Sequence, residues 1–205
     1  MSWKASAILI RPIDDPDYED ILRKLNIGKI EKAENATFNE ALHTTRTNLC
    51  FLGSLNKVLI ICADILPLTF IKPHVPEKEK ILMDMFPDSE ICALQLHGGV
   101  GYFAMSISIG SQKTRVLSGT QDGLDLNIGE PIRQEIEIFS NNGEAACGQT
   151  PNESFYIDRG EDIIFSMFRK YLGFNIEQSS IESEMLFSME FKGYSFDTTD
   201  KSWFR

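Results

Sequence analysis

Three stretches carry residue types suited to chemistry. The first is His97-Gly98-Gly99-Val100-Gly101, where glycines could cradle a phosphate beside an imidazole. A phosphate loop needs a following helix whose N-terminal amides face the anion. Here the glycines lead into Tyr102 to Ile109, in which Phe103, Met105, Ile107 and Ile109 alternate with Tyr102, Ala104, Ser106 and Ser108. That period is a strand's, and no Lys-Ser or Lys-Thr follows, so a glycine-rich hairpin fits better. The second is Asp122, Asp125 and Asn127, which resembles part of a calcium loop. Its glycine and terminal glutamate are misplaced, so solvated turn carboxylates are the reading. The third is Asn127 to Glu135, where Gly129-Glu130-Pro131 and Arg133 set a carboxylate and a guanidinium around a proline-fixed connection.

A nucleophile with an activator is missing from this picture. Cys92 and His97 are five residues apart on one strand and point to opposite faces, and an apolar run disfavours a thiolate. No Gly-x-Ser-x-Gly elbow is present. His43, His74 and His97 share no metal-binding spacing, so neither a metal nor a cofactor is implied. No catalytic residue is assigned. What remains is a binding site for a ligand or partner at His97, Glu130 and Arg133, on the condition that the His97–Gly101 turn approaches the Gly129–Arg133 turn.

Charge narrows the partners. The 205 residues carry 20 Lys and Arg against 30 Asp and Glu, a net charge of −10. A chain of that sign repels phosphate backbones, so nucleic acid is not expected, whereas a basic protein partner is compatible. The first apolar run, Ala5 to Ile10, stops at Arg11-Pro12. It is too short for a signal peptide or a membrane span. The four cysteines, Cys50, Cys62, Cys92 and Cys147, form no CxxC pair. Reduced thiols and a cytoplasmic location follow as expectations.

These groups must be positioned by a fold, and the patterns predict an α+β class with a mixed, mainly antiparallel sheet and about three helices packed against it. Residues 1–205 read as one domain, with a mobile loop near 140–152. Ser2 to Ile10, Leu49 to Leu52 and Lys57 to Cys62 read as strands. Val58 to Cys62 is apolar at every position, which places it centrally. Tyr18 to Leu25 and Glu77 to Phe86 read as helices. Thr37 and Glu40 have capping-box spacing. Ile91 to Leu96, Tyr102 to Ile109 and Thr114 to Leu117 form an antiparallel meander. Ile132 to Phe139 reads as a further strand. A third helix starts at Asp158 and stops at Gly173, and Phe191 to Phe196 reads as a last strand.

The order of strand, His-Gly turn, strand, Ile128-Gly129-Glu130-Pro131 and a helix ending Leu172-Gly173-Phe174 resembles an uncharacterised bacterial family of unknown function, over about residues 94–174. Gly98-Gly99 departs from the bulkier residues of that pattern. The resemblance implies no activity and carries over no functional residue. The sequence therefore predicts a non-enzymatic, acidic cytoplasmic protein that binds a protein partner, of immunity or accessory type. The alternative is a small-ligand enzyme or hydrolase with its site at the His97 turn.

Overall fold

A run of apolar residues at every position has to be buried on both sides, and Val58 to Cys62 is. The computed structural model describes residues 3–141, 150–173, 176 and 181–196, without the side chains of 181 and 182. Ten strands form an antiparallel sheet: β1 (Lys4–Arg11), β2 (Ile30–Lys32), β3 (Ala36–Thr37), β4 (Leu49–Leu55), β5 (Val58–Ala63), β6 (Glu90–His97), β7 (Tyr102–Ile109), β8 (Gln112–Thr120), β9 (Gly123–Ile128) and β10 (Glu190–Phe196). Their order is β2-β10-β4-β5-β1-β6-β7-β8-β9, with β3 beside β10. β5 thus lies in the interior, between β4 and β1.

Alternation along each strand divides the core in two. Ala5, Ala7 and Leu9 of β1 and Val58, Ile60 and Cys62 of β5 face one cluster; Ile8, Ile10, Leu59 and Ile61 face the other. The first face is covered by α2 (Phe38–Leu42), α5 (Arg133–Asn141), α6 (Glu153–Leu172) and α7 (Ile181–Phe187). The second is covered by α1 (Tyr18–Lys24), α3 (Leu66–Phe70) and α4 (Glu77–Met85). The α+β class and the antiparallel sheet hold, but seven helices, not about three, are present among the described residues.

Local chemistry accounts for these elements. Thr37 and Glu40 close a reciprocal capping box on α2. Asn152 caps α6 through Phe155 N–H, several residues before the predicted start at Asp158, and Gly173 ends it in the left-handed region. Gly160 lets α6 lie on β7, since a Cβ there would stand 2.2 Å from the Phe103 ring. The β4–β5 hairpin turns on Asn56 and Lys57, both at positive φ, so β4 runs to Leu55, past the predicted end at Leu52.

Two predicted elements differ. Most of Ile132 to Phe139 is helical, as α5 from Arg133, because Ile132, Glu135 and Phe139 recur at helical spacing, with Glu135 and Phe139 buried and Ile136 exposed. Asp122 to Ile128, read as a turn, contains strand β9. Of the predicted loop 140–152, Ser140 and Asn141 end α5, and 142–149 lie outside the described residues. Cys50, Cys62 and Cys92 are free and buried; Cys147 lies outside the described residues.

Ile60 has no exposed surface and lies on the interior strand. Ile60→Ala is expected to cost about 2–5 kcal/mol in chemical denaturation. A loss below about 1 kcal/mol, as for surface substitutions, would contradict that packing.

Candidate functional site

The corner where β8, β9 and α5 meet is built on a charge inside the core. Arg115 sits on β8 between Thr114 and Val116, opposite Ile107 of β7, and its side chain is fully buried, as is that of Glu135 on α5. Arg115 Nε donates to Glu135 Oε1 at 2.8 Å and Nη2 to Oε2 at 2.7 Å. This is the bidentate geometry that a planar guanidinium suits. The third nitrogen, Nη1, donates to Asn127 Oδ1 at 2.7 Å and to the Ile128 and Gly129 carbonyls at 3.0 and 3.1 Å. Tyr156 of α6 closes the site, its ring centroid 5.5 Å from the guanidinium carbon.

This network explains the Gly-Glu-Pro motif. Arg115 pulls in the carbonyls that end β9, and the chain turns at Gly129 with φ +84°. A Cβ at Gly129 would lie 2.1 Å from the Thr114 carbonyl oxygen, so only glycine fits. Glu130, the next residue, is exposed. Arg133 is also exposed and pairs with Glu137 at 2.6 Å, one helical turn on.

His97 lies elsewhere. It ends β6, opposite Lys4 and Tyr102. Tyr102 begins β7, at the end of the sheet where Thr120 pairs with Gly123. Ile128, just before Gly129, pairs with Val116 at the far end of β9. Strand rise sets these ends about 17 Å apart. The structure therefore keeps Glu130 and Arg133 near each other in the chain but does not bring His97 to them. The unforeseen strand β9 is the reason, since it carries the chain along the sheet before the motif.

Sequence reasoning missed Arg115 and Glu135 as a pair. The signal was an arginine inside an alternating strand and a glutamate on the inward stripe of Ile132 and Phe139. It also missed two other links between layers. Lys113 Nζ lies 2.7 Å from Glu79 Oε2, and Ser108 donates to Glu79 Oε1 at 2.5 Å, tying α4 to β7 and β8. Burial pushes the Glu79 carboxyl up and the Lys113 ammonium down, each opposed by the other's charge. Glu90 of β6 accepts from Lys170 and Tyr171 of α6. Burial alone would raise Glu90, but those hydrogen bonds and the Lys170 and Arg11 charges hold it below its ordinary value.

A cleft of about 440 Å³ opens beside Arg11, Lys57, Asp88 and Glu90. Arg11 there is committed to the fold, donating to the Lys170 carbonyl near the end of α6 and lying over the Tyr171 ring. Burial pushes the Cys92 thiol up to about 12, which leaves it protonated at neutral pH. Among the described residues, no three His, Cys, Asp or Glu side chains group as metal ligands, and no helix is long and apolar enough to cross a membrane.

Along β9, from the Gly123 end to the β8–β9–α5 corner, the chain presents an acidic rim. Between Val116 and Ile132 the chain carries Asp122, Asp125 and Glu130 and no Lys or Arg. All three are exposed, and exposed Glu153 at the start of α6 places Oε1 3.9 Å from where a Gly123 Cβ would stand. No family model, curated protein or solved structure matches the chain.

Arg115→Met leaves Glu135 as a buried unpaired carboxylate and is expected to destabilise the fold by about 3–5 kcal/mol. Arg115→Met with Glu135→Leu is expected to recover much of that loss. Denaturation showing additive losses in the double variant would refute a coupled pair.

Proposed function

We propose that this is a non-enzymatic, acidic protein whose role is to bind a basic protein partner through the β9 rim. The observation that carries this reading is the one-signed charge around β9: Asp122, Asp125, Glu130 and Glu153, with Arg133 already paired to Glu137. Such a surface steers a cationic partner to a defined face and speeds encounter. An immunity or accessory role, a cytoplasmic location and kinship with the bacterial family resembled over about residues 94–174 belong to the same proposal. His97 is no part of this surface, whereas Glu130 lies on it and Arg133 beside it.

The test separates local from net charge. Asp122→Lys, Asp125→Lys and Glu130→Lys together are expected to abolish capture of the partner at physiological salt. The same charge change at exposed Glu19, Glu31 and Glu34, near the opposite margin of the sheet, is expected to leave it intact. Equal loss from both sets would show that only overall acidity matters.

A second reading, a small-ligand site at the His97 turn, has one specific observation in its favour. Nδ1 of His97, Oε1 of Gln95 and Oγ of Ser106 are buried without hydrogen-bond partners. The register puts all three on the sheet face covered by α3. Buried polar atoms of this kind favour an occupant that supplies donors. Saturable shifts of the His97 and Gln95 side-chain resonances on titration with acetamide would support that site; unmoved resonances would reject it.

A further inference from the structure

We propose that β9 accepts an extended, lysine- or arginine-bearing segment of the partner as an added strand. This rests on the acidic-partner reading above and specifies how the partner docks. Among the described residues β9 pairs with β8 on one side and with no strand on the other. Alternate residues of such an edge turn their N–H and C=O groups outward, where a further strand can pair with them. Strand addition to an open edge draws its affinity from these main-chain bonds and its specificity from the flanking side chains.

Three observations favour β9 and define its occupant. The edge is held in shape before anything binds, because Arg115 grips Asn127 Oδ1 and the Ile128 and Gly129 carbonyls from inside. Preorganisation of this kind lowers the ordering cost of association. The side chains along and beside it are acidic: Asp122 and Asp125, then Glu130 and Glu153. Two copies of this chain would set like charges against each other there, which disfavours self-pairing and selects a basic strand. At the end of the edge, Ile128 is 39% exposed, an apolar side chain following the Asp125 carboxylate along the strand. Ile128 also lends its carbonyl to Arg115, so this apolar group sits where the edge is held from inside.

The other margin offers much less. β2 is three residues long, and its charges are already balanced by the Lys29–Glu31 and Lys32–Glu19 pairs. β9 is six residues long and carries neither lysine nor proline, and its pairing with β8 is interrupted by a single register shift, at Asp125.

The experiment uses the full chain and three capped peptides: alternating Lys-Val, the same composition with prolines replacing alternate valines, and alternating Glu-Val. Binding is read by titration and by amide hydrogen exchange. Lys-Val is expected to bind and to slow exchange at alternate amides of 123–128 while leaving 30–32 unchanged. The proline peptide keeps the charge but cannot pair as a strand, and it is expected to bind at least about tenfold more weakly. Asp122→Lys with Asp125→Lys is expected to remove the effect. Unchanged exchange in β5 amides would confirm that this variant is folded. Equal binding of the two basic peptides, or protection away from 123–128, overturns strand addition but leaves the acidic-partner reading standing. Failure of both basic peptides to bind, or binding of Glu-Val as tightly as Lys-Val, overturns the proposal together with that reading.

Discussion

The Arg115–Glu135 pair is the interaction on which this half of the protein depends. Taking both ions out of water costs several kcal/mol each, and the pair repays that only where geometry and remaining hydrogen bonds are good. Here they are. Each guanidinium nitrogen has an acceptor within 3.1 Å, and the carboxylate is engaged through both oxygens. An apolar pair of similar volume could hold α5 on the sheet with comparable strength, but it could not pull the Ile128 and Gly129 carbonyls inward. Arg115 therefore fixes three things together: where β9 ends, where α5 begins, and the left-handed turn at Gly129.

The same device recurs at two other places. Glu79 with Lys113 fastens α4 to β7 and β8, and Glu90 with Lys170 and Tyr171 fastens the end of α6 to β6. The β4-β5-β1 half of the sheet is organised differently, since β5 is apolar on both faces. Apolar layers tolerate substitution as long as volume and patterning are conserved, whereas a bidentate ion pair accepts one pair of side chains in one geometry. Ionic links thus fall where helices lie on the β6–β9 half of the sheet, and register there is set by hydrogen-bond geometry as well as by packing.

Much of this architecture was legible in the residues, because period and caps are local signals. Val58 to Cys62 announced an interior strand by being apolar throughout, and Thr37 with Glu40 announced a helix start by spacing alone. The errors came where local patterns were ambiguous. Ile132, Ile136 and Ile138 satisfy a strand's period at both steps, and the first, four residues long, satisfies a helix's as well; the buried position of Glu135, which Arg115 explains, decides for the helix. β9 escaped notice because Asp122, Asp125 and Asn127 look like turn residues, and an edge strand needs no continuous apolar face. Missing β9 also misplaced the site. With no strand between Thr120 and Gly129, His97 and Arg133 could seem to meet; with it, they are separated by a strand's length.

The layered arrangement limits where a partner can act. Helices cover both faces of the sheet along its centre, so the groups left outward are helix exteriors, strand ends and the two margins. Helix exteriors here carry charges of both signs, many joined as neighbouring pairs such as Arg23–Asp20 on α1 and Arg159–Asp162 on α6. Pairs of that kind cancel at a distance and give little direction to an approaching molecule. The β9 margin is different because its carboxylates have no basic residue between Val116 and Ile132 to cancel them, Arg115 being spent inside on Glu135 and Arg133 paired with Glu137. Burying Arg115 thus has two effects at once. It holds the Gly129 end of the edge in place, and it removes one guanidinium from the neighbourhood of the exposed carboxylates, so a margin able to orient a cationic partner runs out from a tightly built part of the core.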